Sequence, residues 1–292
     1  MNLSRVYQVM LAFVIVVLLS ACDLLSPQAE DDPAGITLST TNVNATEGGT
    51  TGSYTVVLTT EPTADVTISP SVAGSEATVN PASLTFTSAN WDTAQTITVT
   101  AVDDAVADGA TSDTISHSVT STDTDYAGIA VDNVTVSITD NDTAGVSLSS
   151  SSVSATEGGA TGSYTVVLTT EPTADVTISP SVAGSEATVN PASLTFTSAD
   201  WDTAQTITVA AVDDAVDDGE TSDTISHSVT STDTDYDGAS VGDVSVTITD
   251  NDTAGVSLSS SSVESTEGGT TGSYTVVLTT EPSADVTVSL GV

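Results

Sequence analysis

The chain of 292 residues has one basic side chain, Arg5, and no lysine, against 40 Asp and Glu, for a formal charge of −39. Nothing in it can neutralise phosphates, which excludes nucleic-acid binding and argues against attraction to anionic lipid. Cysteine occurs once, at Cys22, so no intramolecular disulfide can form. Aromatic residues make up only 4% of the chain, and no stretch has the spacing of an amphipathic helix. The charge is of one sign but not dense, since charged residues are 14% of the total. With 38% apolar residues the chain is too hydrophobic for wholesale disorder. So acidic a surface favours cations as partners.

The longest apolar run sits at the N-terminus. Arg5 precedes the run Val6 to Leu19, which has the length of a secretory signal core and is short for a membrane span. Leu19-Ser20-Ala21-Cys22 follows and resembles the lipobox of bacterial lipoproteins. That resemblance implies a signal peptide over 1–21, cleavage before Cys22, and acylation of Cys22 as a membrane anchor. Residues 22–33 then form a short polar tether without periodicity. The expected location is the bacterial cell envelope, as a membrane-anchored lipoprotein exposed at the cell surface.

The remainder is one unit repeated. Glu47, Glu157 and Glu267 each lie in Thr-Glu-Gly-Gly at intervals of 110 residues, and Ser53 to Ala89 recurs unchanged as Ser163 to Ala199. The units are 34–143, 144–253 and a partial 254–292. A period of 110 matches a whole sandwich domain rather than a solenoid turn.

Within a unit the hydrophobic period is two. Tyr54, Val56 and Leu58 share a face, as do Ile97 and Val99, Ile115 and Val119, and Val134, Val136 and Ile138. Thr and Val dominate these runs and suit a pleated surface. Gly, Pro, Asn and Asp punctuate them. Seven strands are expected: A near 36–45, B 53–60, C 65–72, D 82–88, E 94–102, F 112–121 and G 131–140. The fold class is all-β: tandem immunoglobulin-like, seven-stranded Greek-key sandwiches, with the third repeat incomplete.

In that topology the A–B, C–D and E–F turns and the end of strand G meet at one pole. The first unit puts Glu47, Glu76, Asp103, Asp104, Asp108, Asp140 and Asp142 there. The second puts Glu157, Glu186, Asp213, Asp214, Asp218, Asp250 and Asp252 there, and adds Asp217 and Glu220. Two carboxylates about 5 Å apart repel by roughly 3 kcal/mol at an effective dielectric near 20. Ca²⁺, with six to eight oxygen ligands in flexible geometry, suits such a loop cluster better than Mg²⁺ or Zn²⁺. The opposite pole also carries acids in turns, Glu61, Asp65, Asp92, Asp123 and Asp125. Two readings are therefore open at this level: a calcium site, and an acidic pole solvated by water.

Three features occur in order: Thr46-Glu47-Gly48-Gly49 before a Tyr-Thr-Val-Val-Leu strand; Thr96 to Val102 ending in Asp103-Asp104; and Val136-Ser137-Ile138-Thr139-Asp140-Asn141-Asp142. Together they resemble the Calx-β family, over 34–253 in full and over 254–292 for its first part. The resemblance implies several Ca²⁺ at the pole named above. It implies ligands at Glu47 and Glu157, at Asp103, Asp104, Asp213 and Asp214, at Asp108 and Asp218, and at Asp140, Asp142, Asp250 and Asp252. The family's aspartate in the C–D region corresponds to Glu76 or Glu186, and its middle acid after strand G is Asn141 or Asn251 here. These departures imply fewer or weaker sites.

Catalysis finds no support. Ser116, His117 and Asp113 lie on one strand and cannot form a triad. His117 and His227 share a face with apolar neighbours and read as packed strand residues. The Gly-Gly pairs precede no helix and are not phosphate loops. The expected function is a non-enzymatic, lipid-anchored spacer and adhesion or interaction module, stabilised by Ca²⁺, with a surface protein or glycan as partner and no organic cofactor. The alternatives are a calcium-sensing module, and the stalk of a larger surface enzyme.

Overall fold

A computed structural model describes residues 33–291, so Cys22 and the segment around it lie outside the described residues. Among the described residues there is no helix long and apolar enough to cross a membrane. The chain divides into two compact units, one of residues 33–102 and 110–139, the other of 103–109 and 140–291.

The first unit has nine strands: β1 (Ile36–Leu38), β2 (Asn42–Thr46), β3 (Gly52–Leu58), β4 (Val66–Val72), β5 (Ala77–Asn80), β6 (Leu84–Phe86), β7 (Gln95–Ala101), β8 (Thr111–Ser121) and β9 (Val134–Thr139). They form two sheets, in the orders β1-β3-β7-β5 and β2-β9-β8-β4-β6. All pairings are antiparallel except β2 with β9, in the register Ala45 opposite Ile138. This is an immunoglobulin-like sandwich. Six of the seven expected strands map onto β3, β4, β6, β7, β8 and β9. Strand A appears as two segments, β1 and β2, because it changes sheets, and β5 is an added strand in the expected C–D connection.

The change in strand A falls at residues 39–41, between Ser39 N–H donating to Thr55 O and Thr135 N–H donating to Thr41 O. There the Thr40 hydroxyl and the Asn42 backbone bond each other, a local turn that competes with either ladder. The chain passes from β5 to β6, and so to the other sheet, after Asn80, where Pro81 has no N–H to give to a ladder.

Alternation sets the core. In β3 the burial pattern alternates from Gly52 to Leu58, with Tyr54, Val56 and Leu58 inside. They meet Val66, Ile68, Phe86, Ile115, Val136 and Ile138 of the other sheet in one cluster, with Trp91 packed against its side. Tyr126 is 1% exposed, and its hydroxyl donates to Thr60 O at 2.8 Å while accepting from Thr60 N–H at 3.1 Å. At about 25 cal/mol per Å² of apolar area, a cluster of this size carries the stability that no disulfide can supply.

The second unit repeats the architecture as β10 (Val146–Leu148), β11 (Ser152–Thr156), β12 (Gly162–Leu168), β13 (Val176–Val182), β14 (Ala187–Asn190), β15 (Leu194–Phe196), β16 (Gln205–Ala211), β17 (Thr221–Ser231) and β18 (Val244–Thr249). Its sheets run β10-β12-β16-β14 and β11-β18-β17-β13-β15. It also holds a hairpin of β19 (Val256–Leu258) and β20 (Val276–Leu278) from the third repeat. Backbone bonds tie the loops into this unit: Glu171 N–H donates to Ala105 O and Glu281 N–H to Ala215 O, both at 2.7 Å.

Candidate cation site

The second repeat carries its acidic pole wholly inside one unit. Glu157 follows β11, and its N–H donates to Thr249 O at 3.1 Å, extending the β11–β18 ladder by one bond. The turn then closes through Gly159 N–H to Thr156 O. Gly158 sits at φ 58°, where a side chain is strained, and a Cβ there would come within 3.0 Å of Asp213 Oδ1. The glycine thus lets the backbone approach the acids closely. This geometry turns the Glu157 side chain inward. It is 2% exposed, and its Oε2 is buried with no hydrogen-bond partner among the described residues.

Glu157 faces Asp218 and Asp250. One carboxylate oxygen from each lies within 4.8 Å of the others. The loop after β16 delivers Asp213, Asp214 and Asp218, and the end of β18 delivers Asp250 and Asp252. Asp214 Oδ1 accepts from Val216 N–H at 2.8 Å, which shapes the loop. Asp250 bridges the two segments: Oδ2 accepts from Gly219 N–H at 2.8 Å, and Oδ1 from Asp252 N–H at 2.7 Å. Asn251 supplies an amide donor within the cluster, to Glu157 O at 2.7 Å and Asp213 Oδ1 at 3.0 Å. Glu186 joins from the turn before β14, with Ser185 Oγ donating to its Oε1 at 2.7 Å.

The electrostatics follow from donor supply. The N–H groups of Asp252 and Gly219 hold the Asp250 carboxyl below the ordinary range. For Glu157, Asp218 and Asp252 burial and like charge prevail instead. Desolvation, then the charges of Asp250, Asp214, Asp218 and Asp213, push Glu157 up. Desolvation, then Asp250, Glu186 and Asp214, push Asp218 up. Asp252 is raised by desolvation, then by Asp250, Asp213, Asp214 and Asp217. Each of the seven acids expected at this pole thus lies in the field of at least one other. The sequence has no basic residue beyond Arg5 to offset them.

The first repeat distributes its seven positions between the units. Glu47 and Glu76 belong to the first; Glu47 is 2% exposed, and its N–H donates to Thr139 O at 3.1 Å. Asp103, Asp104, Asp108, Asp140 and Asp142 belong to the second. There Gly109 N–H donates to Asp140 Oδ2 at 2.8 Å and Asn141 Nδ2 to Asp103 Oδ1 at 3.1 Å, the contacts seen one repeat later. Desolvation, then Asp140, Asp103 and Asp104, raise Asp142.

Other titratable groups have ordinary packing roles. His117 Nδ1 lies 3.1 Å from Asp132 O and so carries the proton, leaving Nε2 to accept from the Tyr54 hydroxyl at 2.7 Å. His227 repeats this with Tyr164 and Gly242 O. Desolvation lowers both imidazoles, and burial pushes the Tyr164 phenol up to about 12. Neither histidine contributes to an acidic group that could hold a metal. Sequence reasoning weighed Asp113 only for a triad and missed that Asp113 and Asp223 are buried, each 7% exposed on the long strands β8 and β17. Their signal was available: they stand two positions before Ile115 and Ile225, on the inward phase.

No family model matches this chain. No curated protein matches it either. Among solved structures it is similar to the calcium binding domain CBD12 of CALX1.1, at 15% identity over 67% of this chain and 80% of that one, with a TM-score of 0.32. CBD12 from CALX1.2 is similar at 16% identity over 66% of this chain and 79% of that one, TM-score 0.30. The D0-D1 domain of intimin is similar at 11% identity over 73% of this chain and 96% of that one, TM-score 0.24. The sandwich assignment stands on the strand order and register given above.

Proposed function

We propose that the protein is a non-enzymatic, lipid-anchored envelope protein. Its tandem sandwiches serve as a Ca²⁺-stabilised spacer and adhesion or interaction module. One observation carries the cation reading: Glu157 buries an unpartnered carboxylate oxygen facing Asp218 and Asp250. A buried acceptor left unmade is costly, and here the chain supplies no counter-charge. An ion that prefers several oxygen ligands at flexible distances answers both needs, which favours Ca²⁺. Glu157, Asp218 and Asp250 would hold it, with Asp213, Asp214, Asp252 and Glu186 completing the negative field.

The ion would also stiffen the run into the next repeat. Asp252 lies two residues before Ala254, whose N–H donates to Asp217 Oδ2 at 2.7 Å. A chain so stiffened holds an interaction surface away from the membrane. Acylation of Cys22 would supply the anchor, and Cys22→Ser should move the protein from the membrane fraction to the soluble one.

The test is thermal unfolding of the full chain in millimolar Ca²⁺, in chelator and in Mg²⁺. A ligand confined to the native state at about 100 times its Kd adds ~2.7 kcal/mol. The midpoint should rise with Ca²⁺ beyond any rise with Mg²⁺, and Asp104→Ala with Asp214→Ala should abolish the gain. No shift, or an equal one with Mg²⁺, would leave a plain acidic spacer.

A further inference from the structure

Asp223 is buried, yet it lies outside the cluster of Glu157, Asp218 and Asp250. It stands on β17 at 7% exposure, and its Oδ2 accepts two backbone N–H groups, from Glu186 at 3.1 Å and Ala187 at 3.0 Å. Room for it comes from Gly184, where a Cβ would fall inside van der Waals contact of Asp223 Oδ1. The other side of Glu186 is fixed too: Glu186 O accepts from Val212 N–H at 2.9 Å, the residue before Asp213-Asp214. Glu186 is thus held between a buried carboxylate on one strand and the first residue of the acidic loop, and its own carboxylate acts on Asp218.

We propose that Asp223, admitted by Gly184, is the positioning residue that holds Glu186 at the acidic pole and so sets the cation affinity of the second repeat. The affinity half of this inference rests on the cation reading above; the placement half does not. Residues around the ligands of a metal site, as Glu186 is beside Asp218 here, are expected to change its affinity by about 10-fold or more when altered. Asp223 does so through the backbone, by anchoring the turn from which Glu186 projects. In the first repeat Asp113 packs against Gly74 in the same way, but its Oδ2 has no hydrogen-bond partner among the described residues. Asp113→Asn therefore serves as an internal control.

The experiment uses the full chain with Asp103→Asn and Asp104→Asn, so that Ca²⁺ binding measured by calorimetry reports the second pole. In that background Asp223→Asn should weaken Ca²⁺ about tenfold. Glu186→Gln should weaken it comparably, and the double variant should be no weaker than Glu186→Gln alone. Losses that multiply in the double variant would overturn the proposal, since Asp223 would then act other than through Glu186. Amide hydrogen exchange without cation is the second readout. Asp223→Asn should speed exchange at Glu186 and Ala187 and leave Ile207 and Val209 of β16 as they were, while Asp113→Asn should leave Glu76 unchanged. Faster exchange throughout β16, or none at Glu186, would overturn the placement. If the parent takes up no Ca²⁺ at all, the cation reading falls, and the exchange result alone decides whether Asp223 holds Glu186.

Discussion

The two poles of the second sandwich bury acids for opposite reasons. Asp233, in the turn after β17, is 6% exposed; its Oδ1 accepts from Asp235 N–H at 3.0 Å and its Oδ2 from Thr173 N–H at 2.8 Å. Desolvation acts on it, yet those N–H groups outweigh it and hold the carboxyl below the usual range. Glu157 is buried to a greater degree, has an oxygen with no donor, and is pushed up. The lesson concerns donors, not acids. A loop carboxylate that backbone N–H groups reach is a turn-forming residue. One that the backbone does not reach, crowded by others of its sign, is a place for a cation. Asp250 shows both behaviours at once: its own oxygens are saturated by backbone, and its charge raises its neighbours.

The comparison breaks most sharply by exchanging the two acids' fates. Asp233→Ala strips the acceptor from two backbone N–H groups and should cost about 1–3 kcal/mol, equally with Ca²⁺ and with chelator. Glu157→Gln removes a crowded charge. It should leave the chelated protein as stable as its parent or more so, and should remove most of the Ca²⁺-dependent gain. Denaturant unfolding in both conditions measures the pair. Equal behaviour of the two variants would erase the distinction between the poles.

A smaller effect lies in pH. For Glu157, Asp218 and Asp252 the folded pKa is raised above the unfolded value, so each opposes folding when ionised. That opposition is relieved as pH falls through the raised folded value. For Asp123, Asp200 and Asp250 the folded pKa is lowered, so their support is present above the ordinary carboxylate value of about 4 and is lost below it. The chelated protein should therefore gain stability as pH falls from neutral through the raised range of these acids, then lose it below the ordinary carboxylate value of about 4. Saturating Ca²⁺ should remove the rise. Midpoints measured across pH, with and without the ion, check both limbs.

Much of this was legible in the chain. Period-two alternation placed Tyr54, Val56, Ile97, Ile115 and Val136 in the core, because a strand has only two faces and one must be dry. The pole was legible because turns that follow alternate strands share an end of a sandwich. Donor supply was not legible. Whether Asp233 or Glu157 is satisfied depends on N–H groups such as that of Thr173, 60 residues away in sequence. Nor did the pattern show that strand A changes sheets or that β5 forms ahead of strand D, since a switch at Thr40 or Pro81 leaves the alternation on either side intact. Asp223 escaped notice because an acid on an inward phase reads as an exception until Gly184 is seen to make room for it.

The finest test turns on Asn251. Its amide is a side-chain donor inside the cluster, reaching Glu157 O and Asp213 Oδ1. Asn251→Asp keeps the shape, deletes that donor and adds a charge. Without cation the midpoint should fall, because Asp213 would exchange an N–H partner for a like charge. With Ca²⁺ the added carboxylate should tighten binding, by roughly tenfold or less, since ligand charge count tunes affinity in oxygen sites. Opposite signs in the two conditions are the signature of a cation pole. A variant that weakens the fold alike in Ca²⁺ and in chelator would mean that Asn251 serves this end of the sandwich as Thr173 serves the other, as a donor to a structural acid.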